Sequence, residues 1–148
     1  MTVVSRHADR KLSDRPFVAG AIAGVAWRAV EPALRRVFGH PYSDPELATA
    51  FVTRGRLQPL LDYGVQAVGG GTFAAVFTRC GGRSTSAALA ATMGENALLL
   101  AATPVIDRIH PDVRDGTWPP LTGNPRAAGV TVSGHVLYAL ALGLLLRR

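Results

Sequence analysis

The sequence predicts an all-α protein: a four-helix transmembrane bundle with a short interfacial helix in its first long loop. Three observations carry that reading. Four apolar runs, at 17–38, 59–78, 86–106 and 127–146, each reach the ~30 Å of a bilayer's hydrocarbon core when coiled as a helix. The charged residues, 18% of the 148, gather between these runs. The third and fourth runs contain stretches, AALAAT and YALALGLLL, that are apolar all round, whereas a soluble surface helix shows a polar face every three or four residues.

The runs differ in strength. The first offers eleven residues from Phe17 to Trp27 before Arg28 interrupts it, and Pro32 should kink it. Apart from its threonines, the second is polar only at Asp62 and Gln66, and Gly69, Gly70 and Gly71 should break it up. The third carries one acid, Glu95, and Pro104 near its end. The fourth has no formal charge and is followed by Arg147 and Arg148. Gly20 and Gly24 form a GxxxG in the first run, a spacing that brings helices close; packing within the chain accounts for it better than dimerisation.

The composition excludes several classes. Apolar residues are 48% of the chain, too many for intrinsic disorder. The single cysteine, Cys80, excludes a disulfide framework within the chain and a multi-cysteine metal site. Net charge is +6, but the basic residues (15 Arg and Lys11) form no tract. They suit lipid headgroups better than nucleic acid. No P-loop, GxSxG, HExxH or CxxC is present, so the reading is of a single membrane domain, 1–148, with a non-enzymatic role preferred and an enzyme kept as an alternative.

The first sixteen residues are polar and show no signal-peptide pattern, so the first run should start insertion. Four spans place both termini on one side. The connection Arg79-Cys80-Gly81-Gly82-Arg83 is basic without acids, which puts that side, and both termini, in the cytoplasm of a bacterial inner membrane.

The loops suggest less. Ser43 and Glu46 have capping-box spacing, and Leu47, Ala50 and Phe51 share a face, so 44–53 reads as a helix lying on the membrane surface. The second long loop, rich in Pro, Gly and Asp, should be irregular, with Trp118 as an interfacial anchor. His40 and His110 each precede proline and stand near an acid. Two histidines in separate loops are a weak metal signal, and solvated side chains, with no metal, are the reading adopted.

The candidate site is a buried polar seam. Charge within the bilayer is costly, so such groups turn inward and find partners. Arg28, Glu31 and Arg35 share one face of the first helix. Asp62 and Gln66 stand at i, i+4 on the second, and Thr131, His135 and Tyr138 at i, i+4, i+7 on the fourth; the third adds Glu95 and Asn96. Helix rise puts Arg28, Glu95 and His135 at ~14–18 Å from the inner boundary, near the midplane. An Arg–carboxylate contact would lower the desolvation cost of both charges, and His135 could titrate against Glu95 or Glu31. A structural ionic lock is the first reading. A proton or ion pathway in an oligomer, using Arg28, Glu95 and His135, is the second. A cofactor-binding membrane subunit or enzyme, with His135 as axial ligand, is the third; none of its residues specifies a cofactor. The bilayer is the expected partner, with a homo-oligomer or larger membrane complex open.

Two motifs carry a resemblance. Gly20-Ala21-Ile22-Ala23-Gly24-Val25 opens the first span and is followed by Arg28, Glu31 and Pro32. Gly134-His135-Val136-Leu137-Tyr138 lies in the last span, ahead of Arg147 and Arg148. In these the chain resembles the YagU-like group of small bacterial inner-membrane proteins. The resemblance implies four inner-membrane helices and, from one member's link to acid resistance, a structural or accessory role in envelope or acid tolerance.

Overall fold

The computed structural model describes residues 3–147, with side chains from Arg15 onward. Among these residues all regular structure is helical: α1 (Val3–Phe38), α2 (Glu46–Thr49), α3 (Gln58–Arg79), α4 (Thr85–Ile109), α5 (Pro111–Arg114) and α6 (Pro125–Leu146). Three helices are long and apolar enough to cross a membrane: Arg15–Phe38 within α1, α4 and α6. The second run, α3, is as long as α6 at 22 residues, but Asp62, Gln66 and three consecutive glycines dilute its hydropathy.

Helix starts follow local chemistry. Ser84 caps α4 by accepting from the Ala87 amide. Asn124 caps α6 by accepting from the amides of Arg126 and Ala127, with Pro125 in the first turn. α1 continues through Pro16 and Pro32.

α1 packs on both α3 and α6, and α6 packs on α4. α3 and α4 are consecutive, yet they stand at opposite ends of this row and are not packed on each other. Small residues let α1 and α3 approach. A Cβ on Gly20 would collide with the Gly70 carbonyl and Ala74 Cβ, and one on Gly24 with the Gln66 carbonyl. The GxxxG is thus occupied within the chain. The glycine triplet does not break α3 as expected: the helix is continuous, Gly70 receives Gly20, and Gly71 receives the Phe17 ring.

Among the described residues there are two apolar cores. Ala19, Ala23, Trp27, Ala74, Phe77, Ala88, Tyr138, Ala139 and Leu142 form one between the long helices. Tyr42, Trp118, Leu121, Ala127 and Val130 form the other, where the two long loops fold together over one end.

That cap corrects four expectations. Trp118 is no interfacial anchor: it is 2% exposed and stacks on His110 at 4.6 Å between ring centroids. The second loop is not wholly irregular, since Pro111–Arg114 make a helical turn. His40 and His110 are buried, not solvated. Each uses Nδ1 to accept from the amide two residues on, Tyr42 at 3.1 Å and Asp112 at 3.3 Å, so the repeated His-Pro marks two self-closing turns. The surface helix expected at 44–53 shrinks to Glu46–Thr49, and its capping box does not form, because the Ser43 hydroxyl turns to Glu31 instead.

Ion pairs fasten the loops together. Arg54 reaches Asp112 at 3.2 Å and also pairs with Asp115, whose carboxyl it holds down at about 2. Asp107 accepts from the amides of Leu121 and Thr122 at 2.7 and 2.9 Å. Burial, then Arg35 and Arg126, lowers the His40 imidazole below its usual range.

Candidate functional site

The eight residues expected in one seam fall into two groups, stacked along the α1–α3 contact and joined by Asp44, whose amide meets Glu31 while its residue lines the second group. The first is ionic. Arg28 donates from Nη1 to Glu31 Oε2 at 3.1 Å and from Nη2 to Asp62 Oδ2 at 3.0 Å. All three are shut from solvent, at 8%, 0% and 1% exposure, so α1 and α3 are joined by a charge network inside the fold. The first loop completes it. Ser43 Oγ donates to Glu31 Oε2 at 3.0 Å and the Asp44 amide to Oε1 at 3.0 Å. Thr49 Oγ1 donates to Asp62 Oδ1 at 2.5 Å. Glu46 sits 3.9 Å from Arg28 and accepts from Arg35 at 2.9 Å. The guanidinium also lies over the Tyr63 ring, 5.6 Å from its centroid. Every oxygen of Glu31 and Asp62 therefore has a donor, which is what makes a buried pair tolerable.

Sequence reasoning missed Ser43, Glu46 and Thr49, and also Arg35's partner. Ser43 and Glu46 looked like a helix-start signal. Their true use depends on the first loop folding back across α1, which no local spacing records.

The second group surrounds a cavity of about 490 Å3 in the gap between α3 and α4, floored by α1 and α6. Gln66, Glu95, His135 and Tyr138 line it, with Trp27 and Asp44. Tyr138 donates to the Gly70 carbonyl at 2.6 Å, tying α6 to α3 across the floor. His135 Nδ1 lies 2.8 Å from the Thr131 carbonyl. A carbonyl only accepts, so Nδ1 carries the proton and Nε2 stays available. Thr131 Oγ1 is 2.9 Å from Asn96 Oδ1 and 3.2 Å from Asp44 Oδ1, which links α4 and the first loop to α6. The Trp27 ring, whose path past α6 requires a glycine at Gly134, lies 4.8 Å from the His135 ring.

Two expected pairings are absent. Arg28 does not meet Glu95: its carboxylate partners are Glu31, Asp62 and Glu46. His135 does not meet Glu31, whose oxygens are taken by Arg28, Ser43 and Asp44. Glu95 is not buried as the seam required: it is exposed, and it has neither an ion-pair nor a hydrogen-bond partner among the described residues. No group of three or more His, Cys, Asp and Glu side chains is placed to hold a metal ion among them.

Asp44 is the least comfortable group here. Oδ1 accepts from Tyr42 at 2.6 Å, while Oδ2 is buried with no partner. Burial pushes its carboxyl above the usual carboxylate range, against the pull of His135, Tyr42 and Thr131. The folded chain thus keeps the Asp44 proton at pH values where the unfolded chain has released it. Its stabilising share is complete below the ordinary carboxylate range and is lost as pH rises through the raised value. Asp44→Asn keeps an acceptor for Tyr42 without a charge. It should raise the thermal midpoint over the wild type at about pH 8 and change it little at about pH 4. Equal effects at both pH values would show that the carboxylate is not strained by burial.

Compared with protein-family models, curated proteins and solved structures, the chain matches none.

Proposed function

We propose that the chain is a four-span protein of the bacterial inner membrane with a structural or accessory role, in which the Arg28 network locks helix register. One observation carries this: polarity is turned inside out. Arg28, Glu31 and Asp62 are buried, whereas Ile22, Leu60, Val68, Leu98, Val105 and Leu144, spread over all four long helices, are more than half exposed. Water would favour the reverse arrangement, and lipid favours this one.

The same argument supplies the fourth span. α3 points Leu60, Val68 and Val76 outward while Asp62, the one acid in the run, is 1% exposed, so that charge does not meet the surroundings. α2 and the loop cap then lie at the outer membrane face. The resemblance to the YagU-like group, through residues 20–25 and 134–138, supports envelope or acid tolerance as the setting.

Fractionation tests the reading. The chain should pellet with membranes, resist alkaline extraction and enter solution only with detergent. A folded, monodisperse species in the detergent-free supernatant would overturn it. Orientation has its own probe, because Cys80 is exposed at the end of α3. A membrane-impermeant maleimide should modify it in inverted vesicles and leave it untouched in intact spheroplasts.

A second reading, an oligomeric proton or ion pathway, is favoured by one observation: Glu95 and His135 line the same cavity, and Glu95 has no neutralising partner among the described residues.

A further inference from the structure

The cavity between α3 and α4 is a built site whose own residues leave it incomplete. Among the described residues, four buried side-chain atoms lack a hydrogen-bond partner, and three belong to residues that line it: Trp27 Nε1, Gln66 Nε2 and Asp44 Oδ2. Trp27 Nε1 is packed against Gly134 of α6, which leaves Gln66 and Asp44. An unpaired buried donor or acceptor costs about 1–3 kcal/mol, and a donor and an acceptor at one space point to an occupant rather than to accidental misfits.

The electrostatics of the lining narrow the class. Two carboxyl groups, Glu95 and Asp44, face the cavity, and no Arg or Lys does. Arg28 does not line the cavity and is already engaged by Glu31 and Asp62. An anion such as a phosphate headgroup would meet like charge. The remaining walls are aromatic and aliphatic: Trp27, Phe73, Tyr138, Leu98 and Leu99. Aromatic faces attract cations and accept apolar bodies. Gln66 adds a donor for an acceptor atom on the same molecule.

We propose that this cavity binds an organic cation, a protonated amine on an aromatic or apolar body, with Glu95 as its counter-charge. The volume is that of a small-molecule pocket. Because α3 and α4 do not close on each other, the route in is lateral. The inference is independent of the lock assigned to Arg28, and it fails separately from the membrane reading, which fractionation decides.

Three molecules of one shape but different charge test it: 2-phenoxyethylamine, 2-phenoxyethanol and phenoxyacetate. Each carries the same ring and ether oxygen. Binding is measured by ligand-observed nuclear magnetic resonance on the full chain in nanodiscs, against empty nanodiscs, at about pH 8, where a primary amine is ordinarily protonated. The amine should bind at least about tenfold more tightly than the alcohol, a difference of about 1.4 kcal/mol, and the acid should bind least. In Glu95→Gln the preference for the amine over the alcohol should collapse while alcohol binding is kept. Asp115→Asn, in the distant loop cap, should leave all three affinities unchanged.

Equal affinity of amine and alcohol for the wild type would overturn the proposal, as would no saturable binding of the amine. Retained discrimination in a folded Glu95→Gln would overturn the role of Glu95. Should that variant fail to fold, the wild-type ranking alone still decides whether the cavity selects a cation.

Discussion

Replacing Arg28 with methionine is expected to cost the fold about 3–5 kcal/mol. The size follows from what is left behind. Glu31 and Asp62 are 0% and 1% exposed, and each would lose its only strong cationic partner. Neither has a route to water without opening the α1–α3 contact. The remaining donors, Ser43, Thr49 and the Asp44 amide, satisfy hydrogen bonding but do not balance two charges. The carboxyls then take up protons, admit water or force the helices apart, and each response costs stability.

Reversible unfolding in a mixed detergent–denaturant titration would read the loss. A triple variant, Arg28→Met with Glu31→Gln and Asp62→Asn, should recover most of it, because the amides keep the shape without the charge. Breaking a buried pair is far costlier than replacing it. If Arg28→Met unfolds within about 1 kcal/mol of the wild type, the cluster holds no register and the lock is gone.

The helical class was legible in the sequence because it rests on long periodic or uniform apolar runs, the strongest signal a chain carries. The three runs that survive as span-length apolar helices include the first, which Arg28 interrupts, and leave out the second, which has fewer charges but more glycine. α3 shows the limit. Asp62, Gln66 and Gly69 to Gly71 read as weaknesses of the helix, yet Asp62 and Gly70 are the contacts that place it against α1.

The candidate site was legible in its residue types but not in its partition. Helix rise gave Arg28, Glu95 and His135 a common depth. Depth alone cannot say which helices pack together: α1 packs on α3 and α6, and α4 on α6. Arg28 therefore meets Asp62 on α3, while Glu95 on α4 faces a cavity. The loop contributions were the least legible. Ser43, Asp44, Glu46 and Thr49 meet residues of the helices across 11 to 87 positions of sequence, where only the folded chain relates them.

The second large effect is expected at Gly20. Gly20→Leu places a branched side chain where a Cβ already collides with the Gly70 carbonyl and Ala74. Backbone cannot yield as a flexible side chain can, so α3 must move outward. Overpacking of this kind costs about 1–3 kcal/mol in ordinary cores. Here the displacement also lengthens Arg28–Asp62 at 3.0 Å and Tyr138–Gly70 at 2.6 Å, so the loss should reach the upper end of that range or exceed it. Gly94→Leu supplies the control: nothing stands within 4 Å of a Cβ there, and leucine is the better helix former. It should leave the unfolding midpoint where it is or raise it.

The outcome also separates the two uses of a GxxxG. If Gly20 and Gly24 held two chains together, Gly20→Leu would dissociate an oligomer and leave each monomer as stable as before. Within one chain, it lowers the unfolding midpoint at an unchanged oligomeric state. Light scattering and unfolding measured on the same sample distinguish these results. The collision of Gly20 with its own chain's Gly70 selects the second.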